Sequence, residues 1–288
     1  STGGSMRRTH LNSWLLAAPL AVILTVFLIL PILLIVAVSF WTADEFSFRP
    51  DFQFGNYEYL LGSAVAWKVF GLTMMMTGIV WALTLVIGFT VAFFLAFHVR
   101  TLKWQMILFL LTTIPFWTSN IIRMISWIPL LGKNGLVNQT LISAGLIDQP
   151  VEWLLYSSFS VCLAFVHLYT LFMVVPIFNT MMRIDRSLIE AARDAGASGV
   201  QILTNVILPL TKPGIMIGSI FVIALVMSDF VTTRFMSGSQ LANVGRLISN
   251  DVGLLQYPSA SATAVVLLIT VLLIIGALLR IVDIRKEL

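Results

Sequence analysis

Few residues of this 288-residue chain have the chemistry to bind, pull or be pulled, and they fall into two groups. The first is a polar stretch that holds Glu190, Ala191, Ala192, Asp194, Gly196, Ser198, Leu208 and Pro209. Ser187-Leu188-Ile189-Glu190 and Ser198-Gly199-Val200-Gln201 both have capping-box spacing, in which two side chains each satisfy an orphan backbone donor at a helix start. The spacing predicts two short amphipathic helices. The first carries Leu188, Ala191, Ala192 and Ala195 on one face and stops at Gly196; the second carries Val200, Leu203, Val206 and Ile207 and is ended by Pro209. A compact, well-capped loop of this kind is expected to receive work from a partner, and its small alanine face lets another surface approach closely.

The second group lies in or beside apolar sequence: Trp117, Asn120, Arg123, Trp127 and Asp229. Ionisable residues within apolar spans are costly and face a cavity or a partner. Asp229 is open to two readings. It could be the counter-charge for a cationic cargo, helped by the aromatic faces of Trp117 or Trp127. It could instead make a structural ion pair with Arg234 or Arg123, or form a hydrogen-bonded gate. Asn120 and Arg123, three residues apart and on one helical face, could line a translocation mouth, cap helix ends or bind an external partner. Arg123 would suit an anionic or zwitterionic cargo. His167 and Tyr169 are expected to be satisfied within the helix bundle, and Gly214 and Gly218 to allow close helix packing, within this chain or against a second subunit.

The elements that position these residues are set by composition. The chain is 59% hydrophobic and only 10% charged, whereas soluble domains carry about 25% charged residues. Helical crossing of the ~30 Å hydrocarbon core takes about 20 apolar residues. Six stretches qualify: Trp14 to Trp41, Trp67 to Phe97, Trp104 to Ile122, Tyr156 to Phe178, Gly214 to Thr233 and Ala260 to Ile281. Their continuous apolar character excludes barrel strands, which alternate. The fold class is therefore an all-α membrane protein with six transmembrane helices.

Residues 1–5 read as a tag scar, 6–13 as a cytoplasmic N-terminus and 14–288 as one transmembrane domain, with a polar loop at about 183–212. Basic residues gather on the cytoplasmic side of short loops. With the N-terminus inside, the inner segments hold 11 basic and 5 acidic residues and the outer ones 6 and 8. Both termini and the Glu190 loop are thus expected in the cytoplasm. The net charge of +4 is a topological signal and implies no nucleic acid. Gly132 to Gly145 could form a short external helix.

Known catalytic spacings do not occur. Gly132-Lys133-Asn134 lacks the preceding glycine and the following hydroxyl of a phosphate loop, so ATP hydrolysis is not expected here. His10, His98 and His167 are far apart, and the single cysteine, Cys162, can form no disulfide within the chain.

Glu190-Ala191-Ala192, Gly196, Val206 and Leu208-Pro209, in that order and spacing, resemble the cytoplasmic signature of ABC-importer permeases, where isoleucine is usual at position 206. Pro115, Asn120, Arg123, Trp127, Leu131-Gly132, Gly135 and Asn138 are spaced as in permeases of the spermidine/putrescine type. Asp185 and Pro213-Gly214 continue the likeness, which runs from about Trp14 to Arg285; Ser237-Gly238 stands where paired glycines are usual. The resemblance implies a type I importer permease in a bacterial inner membrane, with no cofactor of its own. It implies cytoplasmic ATPase subunits that hold ATP and Mg, a second permease chain, and a periplasmic or lipid-anchored substrate-binding protein. The implied cargo is a polyamine or another small charged organic solute. A secondary transporter driven by an ion gradient is the alternative, for which internal repeats would be expected.

Overall fold

The computed structural model describes residues 3–282, with side chains from residue 12 onward. Residues 1–2 of the stretch read as a tag scar, the side chains of Arg7 and Arg8, and the basic pair Arg285 and Lys286 lie outside the described residues. The chain divides into two compact units, residues 1–63 with 248–266 and residues 64–247 with 267–288.

In the first unit, α1 (Gly3–Leu24) passes through a π turn, Thr25–Ile29, into α2 (Leu30–Val38). The Leu30 amide donates to the Thr25 carbonyl, and Pro31 follows immediately. The wide turn accommodates a proline, which has no N–H to give and a ring that crowds an α-helical neighbour. A two-stranded ribbon pairs Thr42 with Arg49 and Ala43 with Phe48, braced by an Arg49–Asp44 ion pair at 3.1 Å. Phe40 packs on Phe52, Phe54 and Tyr57 with ring centroids 5.2–5.6 Å apart, ahead of α3 (Gly55–Gly62).

In the second unit, three long helices form the core: α4 (Ala64–Phe93), α9 (Ser158–Met182) and α12 (Leu208–Ser228), each packed on the other two. Between α4 and α9 lie α5 (Leu102–Thr113), α6 (Asn120–Ile125), α7 (Trp127–Leu131) and α8 (Leu136–Ser143). Then come α10 (Arg186–Asp194) and α11 (Gly199–Ile202), and beyond α12 follow α13 (Val231–Met236), α14 (Val244–Gly253) and α15 (Tyr257–Ile281). The last two run across the boundary between the units. Helix α8 is the short helix expected between Gly132 and Gly145. Asn138, 1% exposed, holds the loop around it by donating to the Gly132 and Val151 carbonyls and accepting from the Val151 amide.

Met173 of α9 is fully buried between Gly88 of α4 and Gly218 of α12. A Cβ on Gly88 would lie 2.8 Å from Met173 Cγ, and one on Gly218 would lie 2.6 Å from its Sδ. A Cβ on Gly214 would meet the Pro176 carbonyl at 2.6 Å and Ile177 Cα at 2.9 Å. Gly214 and Gly218 therefore serve packing inside this chain. Trp81 Nε1 donates to Ser219 Oγ at 2.8 Å, a polar tie between α4 and α12.

Among the described residues, five helices are long and apolar enough to cross a membrane: Asn12–Val38, Ala64–His98, Ser158–Met182, Gly199–Ser228 and Tyr257–Ile281. The third expected span, Trp104 to Ile122, is not one straight helix. Leu102–Trp117 and Asn120–Ser143 meet at an 88° bend, so a sixth crossing exists only as a broken pair. The fifth span differs from expectation at both ends. Pro209 does not end the second polar helix, because a π turn over Leu203–Ile207, closed by the Leu208 amide on the Leu203 carbonyl, carries the helix past it. The span then stops at Ser228, short of Thr233.

Gly214→Val is expected to destabilise the fold by about 1–3 kcal/mol, the usual cost of overpacking. Gly78→Val, on α4 with no atom within 4 Å of its added Cβ, is the control and should not share this loss. Melting in detergent, followed by fluorescence size-exclusion, would rank the two.

Candidate functional site

The polar loop is built from its caps. Asp185 starts α10 by accepting the Ser187 amide at 3.0 Å, and that N–H holds the Asp185 carboxyl below the usual range. Helix α10 thus begins two residues before the expected Ser187–Glu190 box, because Asp185 reaches the orphan amide first. At its far end the Gly196 amide donates to the Arg193 carbonyl at 2.8 Å and the Ala197 amide to the Ala192 carbonyl at 3.0 Å. These are the two bonds of a Schellman stop, with Gly196 at φ +83°. Ser198 then opens α11 through the predicted box: Ser198 Oγ accepts the Gln201 amide and Gln201 Oε1 accepts the Ser198 amide.

The faces of α10 differ from those expected. Ile189, Ala192 and Ala197 pack on the core, while Leu188, Glu190, Ala191, Asp194 and Ala195 face outward. Leu188 is 48% exposed and Val200 71%. A shallow apolar and small-residue face is therefore left uncovered beside the Glu190 carboxylate. Next to it the end of α4 and helices α10–α11 enclose a cleft of about 480 Å³, lined among others by Phe97, Arg100, Arg186, Glu190 and Arg193. Leu208 is exposed and Pro209 half-buried at the start of α12.

The second site gathers four of the five residues singled out by sequence. Asp229 ends α12 and caps α13: its carboxylate accepts the Thr232 amide at 3.0 Å, the Thr232 hydroxyl at 2.7 Å and the Tyr169 hydroxyl at 2.5 Å. Asn243 donates to the Asp229 carbonyl at 2.5 Å. Neither Arg234 nor Arg123 forms an ion pair with Asp229 among the described residues. Trp127 Nε1 donates to His167 Nδ1 at 2.9 Å, with the rings edge to face. His167 and Tyr169 are thus satisfied inside the bundle, as expected.

Arg123 is 7% exposed; its Nη2 donates to Asn120 Oδ1 and its guanidinium lies 4.4 Å over the Phe116 ring. Its Nε and Nη1 are buried with no acceptor among the described residues. Such orphan donors cost about 1–3 kcal/mol each, and more when charged. Trp117, by contrast, is 74% exposed, and its side chain makes no hydrogen bond or ring contact among the described residues. Thr232 and Asn243 were missed by sequence reasoning. An Asp followed by Thr three residues later was the available signal for a cap.

Solved structures share the fold. One chain of a bacterial alginate ABC transporter, solved with an alginate pentasaccharide-bound periplasmic protein, matches with a TM-score of 0.77 at 16% identity, covering 98% of this chain and 97% of that one. A chain of a bacterial ABC transporter that imports alginate matches at 0.75 and 18% identity, with 96% and 98% covered. The fold is therefore that of an ABC-importer permease. Protein-family profiles give no match. The spermidine/putrescine transport system permease protein PotB of Haemophilus influenzae is 32% identical over 86% of both chains. PotB of Escherichia coli K12 is 33% identical over 85% of this chain and 89% of its own. The lactose transport system permease protein LacF of Rhizobium radiobacter is 25% identical over 75% of this chain and 73% of its own. This chain belongs to the PotB-type family of ABC-importer permeases.

A left-handed conformation costs a residue with a Cβ about 1–2 kcal/mol. Gly196→Ala is therefore expected to speed hydrogen exchange at the Gly196 and Ala197 amides, and Gly196→Asn to do so less, since asparagine visits that region more readily. Equal exchange in all three proteins would remove the Schellman stop as the element that holds α10 to α11.

Proposed function

We propose that this chain is the membrane-spanning half of an ATP-driven importer, with helices α10 and α11 docking on a cytoplasmic ATPase. Both termini and the loop at about 183–212 lie in the cytoplasm of a bacterial inner membrane, an orientation supported by the distribution of basic residues. ATP and Mg belong to the ATPase. A second permease subunit, a different chain, completes the path, and a periplasmic or lipid-anchored binding protein delivers cargo. The cargo is a polyamine or another small charged organic solute, a reading supported by the names of the relatives from H. influenzae and E. coli.

One observation carries the coupling role. Helices α10 and α11 are capped at both sides of their joint and continuous with the packed helix α12, yet they present Leu188, Ala191, Ala195 and Glu190 outward. A rigid body with an uncovered small-residue face is suited to take force from a partner without absorbing it. ATPase closure would then draw the loop along and reverse which side of the path is open, and the coupling is the difference in nucleotide binding between the two states.

The test is uptake of labelled spermidine into proteoliposomes that hold the complex purified from native membranes. Uptake should follow internal ATP and persist when the membrane potential is collapsed. Glu190→Ala and Gly196→Pro should each abolish it while leaving the protein at its normal level in the membrane. Normal uptake by both variants would overturn the coupling role, and uptake lost only with the potential would establish a gradient-driven carrier.

A further inference from the structure

Among the described residues Arg123 is a buried cation with two donors unused, and Asp229 is a carboxylate whose three hydrogen bonds all come from neutral donors. We propose that Arg123 and Asp229 are the two halves of a gate latch: apart in this conformation, they pair directly in the opposite conformation of the transport cycle. The inference rests on the importer reading above and adds to it a pair of residues that sets which conformation is favoured.

The packing narrows the choice of acceptor. Helix α6, which carries Arg123, packs on α7, α9 and α13. Helices α7, α9 and α13 contain no Asp or Glu, so Asp229, which caps α13, is the carboxylate those neighbours bring to Arg123. Helix α9 packs on both α6 and α13, and its Tyr169 hydroxyl bonds Asp229. Exchange of the Tyr169 hydroxyl for the guanidinium would satisfy the orphan donors without any further burial of the arginine. The usual penalty against buried ion pairs, desolvation, has for Arg123 already been met.

The backbone supplies the freedom to move. Arg123 stands one turn beyond the 88° break that separates Leu102–Trp117 from Asn120–Ser143. Asp229 is itself the residue at which α12 stops before α13. Arg123 is thus mounted on the short helix α6 beyond one break and Asp229 stands at the other, so each can shift while the long helices α4, α9 and α12 stay packed. Packed interfaces switch between discrete arrangements, and two breaks flanking one unused charge give the latch its two positions.

The experiment uses the assembled complex. Arg123→Gln and Asp229→Asn should each lower uptake about tenfold or more, since breaking a buried pair is strongly destabilising to the state that holds it. The exchange Arg123→Asp with Asp229→Arg should recover to within about threefold of the parent, as coupled sites do. A second measurement does not depend on these variants keeping activity. In a Cys162→Ser background, Arg123→Cys with Asp229→Cys is treated with a short bifunctional thiol reagent, nucleotide-free and vanadate-trapped. Cross-linking several-fold stronger in one state supports the latch; equal or absent cross-linking in both overturns it, as does an exchange variant no better than the worse single variant. The parent complex reports on transport separately. Uptake without ATP would overturn the importer reading alone, and cross-linking would then be compared with and without the gradient.

Discussion

Three helices can lie against one another here because two glycines make room for one methionine. Lipid offers no hydrophobic drive for helices to associate, so close approach and shape matching must hold them. Met173 fills the space that side chains at Gly88 and Gly218 would occupy, and Gly214 brings α12 against the backbone of α9 one turn away. Every other feature hangs from that contact. The chain leaves α9 at Met182, makes α10 and α11, and returns along α12, so the packed pair fixes both ends of the polar loop. The capped joint in its middle then has little freedom left.

At the other end of the same helices the organising force is electrostatic. Membrane interiors tolerate broken helices only where the freed backbone groups find partners. Asp229 and Asn243 provide them: the carboxylate takes the Thr232 amide, and the Asn243 amide takes the Asp229 carbonyl. Asp229 therefore works chiefly as a structural cap, with its negative charge spread over three donors. Arg123 is its opposite, buried but short of acceptors. The carboxylate and the guanidinium are thus unequally satisfied in this conformation, the one with three donors and the other with two nitrogens lacking an acceptor among the described residues.

Much of this was legible in the sequence. Apolar length alone located the spans to within a few residues at most ends, because the membrane demands uninterrupted helices. The Gly196 stop and the Ser198–Gln201 box were readable because each depends on residues no more than a few positions apart. Other features were not. Hydropathy does not register backbone direction, so the break between Trp117 and Asn120 passed as a single span. Asp185 and Ser187 are both competent caps, and only the observed geometry shows which amide is reached. Pro209 was read as a helix end because the rule assumes an α turn before it. Two partners of Asp229, Tyr169 and Asn243, come from 60 and 14 positions away, a distance at which sequence pattern carries no signal.

The π turn at Leu203–Ile207 has one more consequence. It holds one residue more than an α turn would, so the residues before it are rotated relative to those after it. Each helical residue turns by about 100°, and α11 therefore presents a different side from the one an unbroken α-helix would present. The face that α11 offers is thus set by the wide turn as well as by the order of its residues, while the helix stays continuous into α12.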